Sequence, residues 1–244
     1  MKRLRLALPL AALLAASLTA TAADPPTPGW HGSFGAGLSM NSGNSDAKSY
    51  NVGFDLKYDP KTKNVLKFAG LYLRSDANGE TTADKLTALA RDEYSLTDRW
   101  FLYGEVAYLH DAIAQVDYLV SPTAGAGYKF VKTDTVTLEA SAGLGGAFEK
   151  YEGKDSTSSG AYRAAESFGW KISPTVTFTQ KASGLWKMDD TADAYYHLDL
   201  GLTTSISKIL ELKLAWLLDN KTRPALPTLE KTDTSFIAAL VAKF

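Results

Sequence analysis

The chain has no cysteine. That excludes a disulfide framework, a thiol nucleophile, a thiolate metal site and a lipid anchor on an N-terminal cysteine. It also lacks an excess of either charge, with 26 Lys and Arg against 27 Asp and Glu. Such a balance carries no electrostatic footprint for nucleic acid, and no nucleic-acid partner is expected. Histidine is scarce, at three. Three histidines spread along the chain do not make a centre with converging ligands, so no metal site is expected. No apolar run reaches the ~20 residues that a membrane helix needs. What remains is a chain of 244 residues that is 45% hydrophobic and 11% aromatic. That is too apolar for disorder, and long enough for one large domain or two small ones.

The N-terminus reads as an address. Lys2, Arg3 and Arg5 precede an almost wholly apolar run from Leu6 to Leu18, and Ala20-Thr21-Ala22 offers a small-residue cleavage site. This is the three-part secretory pattern. Residues 1–23 are therefore expected to be a signal peptide and residues 24–244 the mature domain. Cleavage removes three basic residues and no acidic one, leaving a mildly acidic exported chain.

Alternation fills the rest. In the run from Val136 to Glu149, Val136, Leu138, Ala140, Ala142, Leu144 and Phe148 point one way, and Thr137, Glu139, Ser141 and Glu149 the other. Strand side chains alternate with period two, so one face is apolar and the other polar or small. The split recurs in about twelve segments, starting near residues 30, 47, 64, 84, 101, 116, 135, 160, 175, 195, 209 and 233. Each spans roughly 9–13 residues, close to what a tilted membrane strand needs. Asp92 and Glu166 fall on the otherwise apolar face. Either the register slips there or both sit near an interface, where a charge costs less.

Short links, such as Asp59 to Thr62, Thr97 to Arg99 and Lys132 to Asp134, alternate with longer polar ones. The longer set includes Ser75 to Thr82, His110 to Gln115, Lys187 to Ala194 and Asp219 to Thr232. Aromatic residues fall in two bands near opposite strand ends. Sorted links and two aromatic girdles are properties of outer-membrane barrels. The fold expected is all-β, a transmembrane antiparallel up-and-down barrel of about twelve strands in the outer membrane of a Gram-negative bacterium, with both termini periplasmic. A soluble lipocalin-like barrel is the alternative, with an apolar interior and a polar exterior.

The terminal Phe244, closing an alternating apolar set, resembles the end signal that such barrels present to their assembly machinery. The chain from about residue 30 also resembles the YdiY-like family of salt-induced outer-membrane proteins, defined by a domain of unknown function. The likeness rests on Ser42-Gly43-Asn44-Ser45, Phe101-Leu102-Tyr103-Gly104, and Asp117-Tyr118 running into Gly125-Ala126-Gly127-Tyr128. It implies location and fold, and brings no catalytic residues.

The polar face should line the lumen. Its candidate residues are Asp55, Lys57, Lys67, Arg91, Glu105, Asp117, Glu139, Arg163, His197, Asp199, Glu211 and Lys213. Both signs occur, without the cationic excess of an anion channel. About eight strands give a filled interior and sixteen or more an aqueous channel, so twelve strands allow a plugged lumen or a narrow pore. His110-Asp111 invites a catalytic reading, but no nucleophile, base and orienting group assemble around it, and there is no G-x-S-x-G elbow. The glycines around Gly143 sit within a strand pattern with no following helix, so they are not a phosphate loop. The expected role is a structural or stress-related envelope protein, monomeric, without cofactor or catalysis, in contact with outer-membrane lipid. A small-solute diffusion channel is the alternative, and a membrane hydrolase a further one.

Overall fold

The computed structural model describes residues 28–41 and 47–244, and the side chains of 39–41 are not described. The proposed signal peptide and the Ser42 to Ser45 motif lie outside these residues. Twelve strands follow one another: β1 (Gly29–Asn41), β2 (Ala47–Asp59), β3 (Asn64–Ala77), β4 (Glu80–Ser95), β5 (Trp100–Asp111), β6 (Val116–Lys132), β7 (Val136–Tyr151), β8 (Thr157–Lys171), β9 (Val176–Lys187), β10 (Ala194–Ser205), β11 (Leu210–Lys221) and β12 (Thr232–Lys243). Each pairs antiparallel with its neighbours in sequence, and β1 closes on β12. The seam pairs Ser33 with Lys243 and Ala36 with Leu240. Gly32 and Phe244 exchange two backbone hydrogen bonds of 3.1 Å beside it. Closure is what lipid demands, because an open edge would leave peptide groups without partners.

The expected strand count and order are observed. The faces also sort as alternation requires. Trp30, Phe34, Val52, Phe54, Leu102, Val106, Leu144, Leu202, Leu240 and Phe236 all stand exposed on the outer wall. A soluble protein does not present a continuous apolar belt of that extent, so the lipocalin-like alternative fails. At the end where β1 begins and β12 finishes, here the turn end, Trp30 packs on Tyr58 with ring centroids 5.1 Å apart, and Trp100 packs on Tyr128 at 4.8 Å. At the loop end Trp186 donates to the Tyr196 hydroxyl at 2.9 Å. Rings with one apolar body and one polar tip suit the two headgroup levels.

Two expectations need correction. The strands are longer than a span requires, reaching 17 residues in β6. The segment Ser75 to Thr82 is not a long link. β3 and β4 continue through it to a two-residue turn at Asn78-Gly79, whose φ values of 53° and 84° are the left-handed pair that a tight hairpin of the right twist needs. Its polar composition marks strand that rises out of the membrane. The register at Asp92 and Glu166 does not slip. Both face outward. Asn64 donates to Asp92 near the turn end, and Gln180 donates to Glu166 at 3.1 Å, so each carboxylate has a hydrogen-bonding neighbour on the outer wall.

Candidate functional site

The lumen is the concave surface of this fold, and inward side chains pack into it in two clusters, one running along β11 and β12 from mid-barrel toward the turn end and one at the loop end. On one side Leu73, Ala215, Leu217, Ile237, Ala239 and Val241 form a buried cluster. They belong to β3, β11 and β12, and meet over the inward glycines of β1 and β2. A methyl group on Gly53 would come within 3.3 Å of the Leu71 side chain. On the other side Leu109, Val116, Leu119, Ala147, Ala161 and Leu185 form a second cluster. Inward apolar packing of this kind takes up part of the lumen volume.

Between the clusters, ion pairs cross the barrel. Lys85 on β4 reaches Asp111 at 3.0 Å and Asp219 on β11 at 2.8 Å. The Tyr195 hydroxyl donates to Asp219, and His197 Nδ1 lies 2.7 Å from it. Glu149 on β7 pairs with Lys187 of β9 and, at 3.4 Å, with Lys221 of β11. Asp193, in the β9–β10 loop, pairs with the same two lysines at 2.7 and 2.8 Å. Burial alone would raise the Asp193 carboxyl, but the adjacent ammonium groups of Lys187 and Lys221 outweigh it and hold the acid below its usual range. The space left among these groups is only about 30 Å³, one water's worth. Above it the Lys154 ammonium donates to the carbonyl of buried Ala225 at 2.6 Å, which ties the β7–β8 loop to the β11–β12 loop across the mouth.

A second charged layer lies deeper. Arg91 bonds Glu93 at 2.8 Å and Glu105 at 2.9 Å, and its guanidinium stands 4.0 Å from the Tyr103 ring centroid. Arg163 Nε approaches Glu105 to 2.6 Å, at ion-pair distance but without hydrogen-bond alignment. Lys67 bonds Glu93 at 2.7 Å and stands 3.9 Å from Glu139. Phe101, 1% exposed, lies over Gly127 of the next strand, where a Cβ would fall 2.1 Å from the ring. Only glycine admits the ring there. The glycines of β6 and β7 thus make room for the side chains that fill the lumen.

Eleven of the twelve lumen residues expected from the sequence do face inward. Asp55, Lys57, Lys67, Arg91, Glu105, Glu139, Arg163, His197, Asp199, Glu211 and Lys213 share the inward parity of their strands. Lys57 bonds Asp59 at 3.0 Å, Glu211 pairs with Lys243 at 2.6 Å, and Asp55 stands 3.9 Å from Lys181. Asp117 is the correction. A bulge between Val116 and Tyr118 turns it outward, where it pairs with Lys150 at 2.8 Å on the exposed wall. An extra residue in one strand reverses the facing of its neighbours, and simple alternation cannot foresee it.

Of the charged residues that meet here, Asp111, Lys187, Asp219 and Lys221 are absent from the sequence-derived set because they fall in segments that read as loop, whereas Lys85 lies at the start of a segment that reads as strand and is absent all the same. The signal that finds them is parity: all carry odd numbers, like the inward residues below them. His110, the other catalytic suspect, faces outward and binds only the Asp117 carbonyl through Nδ1, at 2.8 Å. Among the described residues no group of three His, Asp or Glu converges as a metal site would.

Residues 34–244 match the model of the family described as protein of unknown function, DUF481. The chain belongs to that family. It is 24% identical over 204 residues to the uncharacterized protein YdiY of Escherichia coli strain K12, covering 84% of this chain and 79% of the relative. Among solved structures it resembles the NanC porin, with a TM-score of 0.52 and 10% identity over 87% of this chain and 98% of the porin. It also resembles the translocator domain of the autotransporter NalP from Neisseria meningitidis, with a TM-score of 0.50 and 11% identity over 90% of each. At such identities the likeness is one of fold, an outer-membrane barrel. For the DUF481 chain it says nothing of cargo. YdiY is uncharacterised, and these two fold neighbours are a porin and a translocator.

Proposed function

We propose that this DUF481 barrel is a closed, non-catalytic component of the outer membrane, with a structural or stress-related role. The observation that carries this reading is the plug itself. Ion pairs between β4 and β11 and between β7 and β11 cross the lumen between two apolar clusters, and Lys187 of β9 joins the second pair. An open diffusion pore keeps its lining charges solvated along a continuous path. A barrel whose side chains meet across the axis gains stability from its interior, as small filled barrels do. In this reading the turn end is periplasmic, the chain is exported with its leader removed, and it works as a monomer. Conductance in a planar bilayer tests it. The folded protein is expected to give no steady single-channel steps. A stable conductance in the wild type would reject the closed-lumen reading and favour the small-solute channel. That second reading draws on the half-exposed Asp55 and Lys181 side chains, which mark a wetter lower lumen.

Assembly supplies another prediction. Phe244 is 68% exposed on the outer wall beside Gly32, and its backbone closes the seam. We infer that its ring and carboxyl-terminal strand are what the barrel-assembly machinery engages. Deleting Phe244 is expected to lower outer-membrane insertion while export proceeds. Fractionation, with heat-modifiable gel mobility as the folding readout, checks this. A normal folded yield of the deletion would reject the role.

A further inference from the structure

The lumen's charges are balanced over its whole length but not at its turn end. There, three consecutive turns border an open depression of about 740 Å³ whose charged lining is Lys61, Lys63, Asp98, Lys129 and Lys132. This is the size of an ordinary small-molecule pocket. Four ammonium groups face one carboxylate. Lys61 alone has an acidic partner, Asp59, at 3.2 Å. Lys63, Lys129 and Lys132 have none among the described residues.

Two of those three are held instead by aromatic faces. The Lys129 ammonium lies 5.4 Å from the centroid of the inward Phe101 ring, and that of Lys63 lies 5.7 Å from the centroid of Tyr94 on the outer wall, so the two flank the rim from its two faces. A ring's quadrupole attracts a cation without cancelling its charge, so these ammoniums stay available to an anion. Glu139 stands opposite Lys129 in the ladder, but its carboxylate turns to Lys67 at 3.9 Å.

The cradle is also built rather than loose. The Ser95 amide donates to the Lys63 carbonyl at 2.8 Å, and the Lys129 amide to the Arg99 carbonyl at 2.9 Å, so each turn is stitched to the next. Lys61 sits at φ 60°, a left-handed conformation that costs energy in any residue with a Cβ. Asp59 Oδ1 accepts from its amide at 3.0 Å and holds it there. A glycine would take this turn without strain, yet the position carries an ammonium at the rim.

We propose that this concavity is a binding site for a multiply charged phosphate-type anion approaching from the turn end. It goes beyond the closed-barrel reading and does not depend on it, since the site lies at the turn end, away from the ion pairs at the loop end. The phosphate could belong to a soluble molecule or to the headgroup of an anionic lipid at the rim.

The test uses the full chain folded in phosphatidylcholine nanodiscs, with inorganic diphosphate as the soluble probe. In a parallel arm phosphatidylglycerol replaces part of the lipid and no diphosphate is added. Acylation of lysines, read by mass spectrometry, reports protection on the wild type, so no variant need fold. Protection of Lys63, Lys129 and Lys132, but not of Lys171 and Lys208 in the remaining turns, is the expected result. Its appearance in the first arm assigns a soluble anion, and in the second a headgroup. The double substitution Lys63→Gln/Lys132→Gln should weaken diphosphate binding by about tenfold or more, and the charge-matched Lys171→Gln/Lys208→Gln should not. Protection in neither arm, or equal protection of all five lysines, overturns the proposal. The closed-lumen reading would survive that failure, because conductance tests it separately.

Discussion

Replacing Glu149 with alanine is expected to cost about 3–5 kcal/mol of barrel stability, the range for breaking a buried ion pair by removing one partner. Glu149 is 4% exposed and pairs with both Lys187 and Lys221. Without it the two ammoniums share a single carboxylate, Asp193. A buried cation left without its counter-charge loses hydration and gains nothing in return. Lys150, one residue on, points to the other face and pairs only with exposed Asp117. Its replacement by alanine should leave stability close to wild type, since solvent screens such a pair. Denaturant unfolding in liposomes, followed by tryptophan fluorescence and gel mobility, compares the two. Equal losses would mean that Glu149 is not the keystone of the plug. Replacing Glu149, Lys187 and Lys221 together by methionine should recover much of the loss, because an apolar filling removes the charges along with their partner.

That contrast between neighbours shows what can be read from the sequence. Face assignment is local. A period of two over a dozen residues places Glu149 inside and Lys150 outside with no knowledge of the rest of the chain. Strand number and order come as readily, because each strand pairs with the next through a short connection. What the lumen does is not local. Lys85 and Asp219 are 134 positions apart, and they meet only because the closed ring sets β4 across from β11. Inward leucines such as Leu73 and Leu217 look like exceptions to a polar lumen, yet they belong to a buried apolar cluster that spans β3, β11 and β12. Asp117 is misplaced by one bulge. The charge excess at the turn end is hidden for a related reason: averaged over the lumen, the signs cancel, and the sorting by depth needs the three-dimensional register. Glu166 stands out correctly as a lipid-face charge, but its partner Gln180 is visible only once β8 and β9 are aligned.

The sharpest test of the membrane reading concerns Leu144, in the middle of β7. It is 57% exposed on the outer wall, and its ladder neighbours are Ala124 and Tyr162. Ala142 and Gly146 flank it on the same face, so no nearby acid could neutralise an introduced cation. Replacing Leu144 with arginine is expected to cost about 2–4 kcal/mol, the range for a cation forced onto the lipid face at midplane. Snorkelling brings the cost to the lower end if the guanidinium reaches a headgroup level. The comparison is Lys213→Gln. Lys213 faces the lumen and has no ion-pair partner among the described residues, so removing its charge should be mild. The measurement is refolding yield and unfolding free energy in liposomes. In detergent micelles, whose surface adapts to a cation more easily than a bilayer, the Leu144→Arg penalty should shrink. A penalty equal in both media would point to lost packing rather than lipid contact. Full tolerance of Leu144→Arg in liposomes would overturn the assignment of this face to the bilayer, and with it the membrane reading of the barrel.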